Sequence, residues 1–320
     1  MRKLSWLLTV AVIAAIAAGC SSGSGGPRFS LSFPAGIHGT PITGRVFVFM
    51  TRSNQRQPRL QINGYNGSIP FFGKDVSQLQ PGQSVVVDSS VLGSLVKSLK
   101  DVPAGDYYVQ GMMNVYTRFP RSDGHTIWAH MDQWGGQHFN TSPGNLYSAV
   151  QQIHWDPSQS QTINISLNQV LPPHKAPQDT DWVKHIKIQS PMLTKFWGHP
   201  IFMGATILLP KGYAQHPHQL YPVVYIQGHF NLRSPYGFNP TPSQPNARSA
   251  YMRSVFGVET GYQFYQEWTS NNFPRMILVT FQTPTPYYDD SYTVNSVNSG
   301  PYGDAIMQEL IPYVETHFRI

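Results

Sequence analysis

The stretch YPVVYIQG (Tyr221–Gly228) decides how the second half of this chain is read. Val223 to Ile226 is apolar without alternation, the pattern of a strand covered on both faces in the middle of a parallel sheet. RMILVTF (Arg275–Phe281) repeats it. Between the two lie a Pro/Asn/Ser-rich loop (Asn231–Arg248) and a helical stretch through VFGVETGYQFYQEW (Val255–Trp268). A strand, a long crossover with a helix and a second buried strand make a βαβ unit.

Upstream, WVKHIKIQS (Trp182–Ser190) and GATILLP (Gly204–Pro210) read as a pair of sheet strands. Downstream, GPYGDAIMQELIPYVETHFRI (Gly300–Ile320) reads as a helix. Ile306, Leu310, Tyr313 and Val314 share one apolar stripe. Asp304 suits the positive helix end, and Pro312 is expected to kink the helix by removing a backbone bond. A crossover helix in an α/β sheet leads into another parallel strand, and no further strand follows in these 320 residues.

The first half has another texture. RVFVFM (Arg45–Met50), SVVVD (Ser84–Asp88), DYYVQGMMNV (Asp106–Val115) and TINISL (Thr162–Leu167) read as strands. Turn pairs such as Pro81-Gly82 separate them, and one short helix is possible at Ser90–Leu99. Frequent strands and turns point to an antiparallel, immunoglobulin-like β-sandwich over 29–170. The Pro-rich connector LPPHKAPQDTD (171–181) is expected to space it from a second unit at 182–320. The fold class is therefore α+β, in two domains.

At the N-terminus, Arg2 and Lys3 precede an apolar, Ala-rich run that ends at Gly19, before Cys20. Residues 1–19 read as an export signal, with an uncleaved anchor as the other reading; the run is short for a bilayer span. Residues 20–28 form a Gly/Ser tether. AAGC followed by SSGSGG resembles a bacterial lipoprotein signal. That resemblance implies lipidation of Cys20, a membrane partner through the lipid anchor and, with Ser21 next, the outer membrane facing the periplasm. The chain has one cysteine, so no internal disulfide can form.

The formal charge is +6, or +4 without Arg2 and Lys3, and no dense Lys/Arg run occurs. A nucleic-acid partner, which needs a clustered basic face, is not expected. His216, His218, His125 and His130 lack the Cys, His or carboxylate company of a zinc site and read as surface loop histidines. Trp128, Trp134 and Trp155 suit either a sandwich core or, if exposed, stacking on sugar rings.

ATILLPKGY, YPVVYIQGH, EWTSNNFPRMILVTF and DDSYTVNSVNSGPYGDAIMQELIPYVETHFR occur in an order and spacing that resemble one esterase family. Its members include enterochelin-esterase-like proteins, feruloyl and acetyl xylan esterases and S-formylglutathione hydrolases. The resemblance runs from about Lys184 to Ile320 and implies the front half of an α/β-hydrolase domain. It implies serine-based hydrolysis of a small-molecule or saccharide-linked carboxylic ester, with no cofactor. In that family a buried strand and a G-x-S-x-G elbow follow the helix that Gly303–Phe318 resembles. The pattern occurs only as Gly19-Cys20-Ser21-Ser22-Gly23, at the end of the export signal with no strand before it, so no catalytic serine, acid or histidine is identifiable. The chain is expected to be cut before its nucleophile and inactive alone, although a natural short form is also conceivable.

One catalytic part is expected within the chain. The loop after YPVVYIQ holds the place of an oxyanion-hole loop, which makes Gly228, His229 and Phe230 candidates. Gln227-Gly228 stands where the family often reads His-Gly, and Gly228 has the plainer reading of a strand-exit turn. His229 reads as a loop histidine or as a base without partners. Asp289 and Asp290 suit a turn or cap, and Asp290 with Tyr292 are substrate-side candidates by the resemblance. The rival function is a non-catalytic lipoprotein that binds saccharide or envelope material.

Overall fold

In a computed structural model the described residues are 26–62, 69–131, 134–135, 138–244 and 247–320. The export signal, Cys20 and most of the Gly/Ser tether lie outside them. The described chain is a mixed α+β protein, dominated by open sheets with few helices.

Strand Ile42–Thr51 pairs antiparallel with Phe71–Leu79 on one side and with Gly105–Val115 on the other, at the centre of a seven-stranded sheet. Val46, Val48 and Met50 face one core, where Phe29, Leu31, Val87, Ile163 and Ile165 meet them. The opposite face, with Phe47, Phe49 and Met112, is covered too, by Ile69 and Leu171 among others. Each large apolar side chain so buried is worth roughly 1.5–3 kcal/mol relative to exposure. Trp155 lies in the first core, fully buried and stacked on Phe29 at 5.3 Å.

The facing sheet departs from the antiparallel expectation. Arg28–Ser32 pairs antiparallel with Val85–Val87 but parallel with Thr162–Ser166. Strands so far apart in sequence can run parallel because a long crossover joins them. Ser90–Leu99 is not a helix. Asp88 binds both the N–H and the hydroxyl of Ser90, and Leu95 sits at φ 67, so local side-chain bonds and a left-handed residue break the periodicity.

The later residues form a four-stranded sheet in the order Val183–Gln189, Phe202–Leu208, Ile277–Gln282, Val223–Ile226. The first two pair antiparallel, and the last two run parallel, as a βαβ unit requires. Ile277–Gln282 is buried along its length. Val223–Ile226, however, is an edge strand, and Val224 is 41% exposed. Its unbroken apolar run marks a strand fit for a sheet centre, but only one neighbour pairs with it among the described residues. The crossover holds two helices, Ala247–Phe256 and Gly261–Trp268, in place of one. Gly257 (φ 63) ends the first, and a reciprocal Thr260–Gln263 capping box starts the second.

The last helix runs from Tyr302 to His317, with a π turn over Ile306–Leu310 that ends two residues before Pro312. That turn accommodates the backbone bond the proline cannot make. Ile306, Leu310 and Val314 are buried against the sheet, whereas Tyr313 is half-buried and stacks on His317 at 3.9 Å. No described helix is long and apolar enough to cross a membrane.

The front sheets and the later sheet touch through aromatic contacts. Phe119, on the hairpin strand Thr117–Pro120, meets Trp197 at 6.0 Å and Tyr287 at 5.1 Å. Trp134 meets Phe230 at 6.0 Å.

Candidate active site

In open sheets with parallel strands, ligands bind in the crevice beyond the carboxyl ends of those strands. Here the two parallel strands end in two loops: one from Gln227 to Arg233, the other from Thr283 to Tyr292. All five site candidates lie on them: Gly228, His229 and Phe230 on the first, Asp290 and Tyr292 on the second.

Asp290 joins the loops. Its carboxylate accepts the backbone N–H of Phe230 from one loop and that of Tyr292, at 2.7 Å, from its own. The Thr283 hydroxyl lies 3.4 Å away. The residue is 5% exposed, and burial pushes its carboxyl above the usual range, against the pull of those donors and of nearby His229. The turn role expected for this acid and a structural role in the site are therefore combined. Ser291 locks the same turn by donating to the Thr283 hydroxyl at 2.9 Å.

His229 lies between a phenol and an acid. Its Nε2 is 3.1 Å from the Tyr292 hydroxyl, and its Nδ1 is 3.7 Å from Asp289 Oδ2. With the proton on Nδ1, facing the carboxylate, Nε2 accepts from the phenol. A histidine so placed can hold or pass a proton at Nε2. No serine hydroxyl bonds it among the described residues.

Tyr292 and Thr293 both adopt left-handed backbone, at φ 51 and 56. For a tyrosine and a β-branched residue this costs roughly 1–3 kcal/mol each, a cost that concentrates at functional sites. Gly228 behaves differently. Its φ is not left-handed, and a Cβ built on it would meet nothing within 4 Å. The fold does not need glycine there for the turn, and the space beside it is open.

Beneath the loops, buried Gln282 donates to the Thr206 hydroxyl at 2.5 Å and to the Asn231 carbonyl at 3.2 Å. Asn231 in turn donates to the His229 carbonyl at 3.1 Å. The strand end thus fixes the first loop through side chains that carry no motif in the sequence.

Other candidates separate. His216 and His218 are exposed, and His125 is an exposed partner of Asp123 at 3.3 Å. His130 corrects the surface-loop expectation: it is half-buried, bonds the Val115 carbonyl at 3.0 Å, and burial lowers its pKa. No group of three or more potential ligands that could hold a metal occurs among the described residues. Of the tryptophans, Trp155 is core, Trp128 is 44% exposed, and Trp134 borders a cleft beside His229.

No family model matches the chain, and no curated protein matches it. One solved structure, named a ferulic acid esterase, aligns at 19% identity with a TM-score of 0.24. The alignment covers 43% of this chain and 45% of that one, less than half of either protein. A similarity so slight carries no argument about activity.

Proposed function

We propose that this chain is the front part of an exported serine carboxylic-ester hydrolase: a β-sandwich followed by the opening strands of an α/β-hydrolase domain. The observation that carries the reading is the meeting of His229, Phe230, Asp290 and Tyr292 at the carboxyl ends of two adjacent parallel strands. The first loop stands where an oxyanion-hole loop belongs. Since the Phe230 N–H is held by Asp290, the N–H groups of Gly228, beside open space, and of His229 are left as the candidates to face a substrate oxygen. The bare edge of Val223–Ile226 supports a further strand, and with it a nucleophile, outside these 320 residues. The substrate would be a small-molecule or saccharide-linked ester. Anchoring through a lipid on Cys20 at the outer membrane belongs to the same proposal.

The second reading, a saccharide-binding lipoprotein without catalysis, is favoured by the open cleft that Trp134 borders. Reading the gene beyond codon 320 separates the two. A strand followed by G-x-S-x-G is the expected result, and a stop codon with a stable folded product overturns it. Hydrolysis of p-nitrophenyl acetate by the 320-residue chain, above a heat-killed control, would show that the nucleophile is present after all.

A further inference from the structure

Beside His229 opens a cleft of about 780 Å³, where residues of the front half, the Pro-rich connector and the crossover loop meet. Trp134 comes from the first, Lys175 from the second, and Arg233 and Tyr236 from the third. The connector, expected only to space two units, therefore forms a wall of this cavity.

The charge of the cleft is one-sided. Lys175 and Arg233 are cationic side chains, and neither makes an ion pair among the described residues. His138, His174 and His229 add to the lining, and no described lining residue is acidic. Of the acids nearby, Asp289 faces His229 Nδ1, Asp290 holds the backbone N–H groups of Phe230 and Tyr292, and Asp179, in the adjoining cavity lined by Trp134, His174 and Lys175, accepts the His185 N–H. Cations without an ion-pair partner, in a wall with no carboxylate among its described lining residues, favour an anionic ligand.

The walls also carry flat aromatic surface. Tyr236 is 68% exposed and stands in left-handed backbone (φ 50) beside Gly237 (φ 69). Its ring meets Phe264 edge-on at 5.5 Å, and the exposed remainder of this strained tyrosine is available for contact. Trp134, also left-handed at φ 68, lines the same cleft, with Phe230 at 6.0 Å from its ring and the Lys187 ammonium 4.2 Å from the ring centroid.

The geometry points to a binding site for an acidic saccharide, with ring faces against Tyr236 and Trp134 and sugar carboxylates on Lys175 and Arg233. Two cations on separate segments, with aromatic rings in the same lining, suit a ligand that carries both carboxylates and ring faces. The close-set phosphates of a nucleic acid call for a continuous basic stripe instead. Placed against His229, the ligand would be the sugar part of an ester substrate. That use rests on the hydrolase reading; the binding does not.

The test is calorimetric titration of the full chain with trigalacturonic acid, a neutral galactose trisaccharide and ATP. The acidic trimer is expected to bind about tenfold or more tighter than the neutral one, and to weaken at about 0.5 M salt. Lys175→Gln with Arg233→Gln should lose about tenfold in acidic-trimer affinity, while Tyr236→Ser weakens both trimers. All three side chains are exposed, and circular dichroism of each variant checks the fold. Equal binding of the two trimers, no binding of the acidic one, indifference to the double variant, or tighter binding of ATP would each overturn the assignment. If the acidic trimer binds while a polypeptide extended past residue 320 cleaves no ester, the hydrolase reading falls and this site stands. If that polypeptide cleaves esters while the acidic trimer fails to bind, the reverse holds.

Discussion

The Ser190 hydroxyl donates to the carboxylate of Glu309, a contact that ties the start of helix Pro191–Trp197 to the terminal helix. The same carboxylate accepts the Met192 N–H at 2.9 Å, and Ser190 accepts the N–H of Leu193 at 3.1 Å. One of only four glutamates in the chain thus completes the cap of a helix 119 residues away. Glu309→Ala should destabilise by about 1–3 kcal/mol and Ser190→Ala by about 1, because each leaves orphaned partners. The double variant should cost less than the sum, since both act on one cap. Urea unfolding of the three variants reads this; full additivity would refute the coupling.

Gly228→Ala separates a folding role from a site role. With open space where a Cβ would project and no left-handed φ, stability should stay within about 0.5 kcal/mol of the parent. On the proposed oxyanion-hole role of this loop, the same methyl group should lower kcat/KM in a catalytically complete polypeptide. A large fall in Tm would assign the glycine to the turn.

Asp290 gives a pH signature. Its folded-state pKa is raised, so the fold favours the protonated acid. The resulting contribution is fully present below the ordinary carboxylate pKa and is lost as pH rises through the raised value. Asp290→Asn resembles the protonated form. The parent should therefore match the variant best in acid and fall behind it as pH approaches neutrality. Thermal melts from pH 4 upward measure the difference; a gap that widens toward acid would mean the carboxylate is stabilised in the fold.

The left-handed turn at Tyr292-Thr293 should be relieved by glycine. Thr293→Gly is expected to stabilise by about 1 kcal/mol, since a β-branched residue at φ 56 carries strain that glycine avoids. A lower Tm would show that the threonine contributes packing that outweighs the strain.

The open edge of the later sheet should make the chain self-associate. Among the described residues Val223–Ile226 has a strand partner on one side only, beside a 41% exposed Val224. Val224→Lys should reduce concentration-dependent light scattering, whereas an unchanged profile would locate association elsewhere.

Sequence alone determined what depends on local pattern. The parallel pairing of Val223–Ile226 with Ile277–Gln282 follows from two apolar runs and a helical crossover. The alternation of Arg45–Met50 marks a strand, and the stripe Ile306, Leu310, Val314 marks a buried helix face. Tertiary structure decided what depends on partners far away in the chain. The Arg28–Ser32 strand runs parallel to Thr162–Ser166 because its neighbour is more than a hundred residues on. The edge position of Val223–Ile226 depends on which strands are there to pair with it. Asp290 reaches the Phe230 N–H only once the two parallel strands are paired, and Lys175 reaches the cleft only once the connector folds back against them. Residue type and spacing carry hydrophobic period, but a hydrogen bond or a shared cavity between distant loops leaves no period to read.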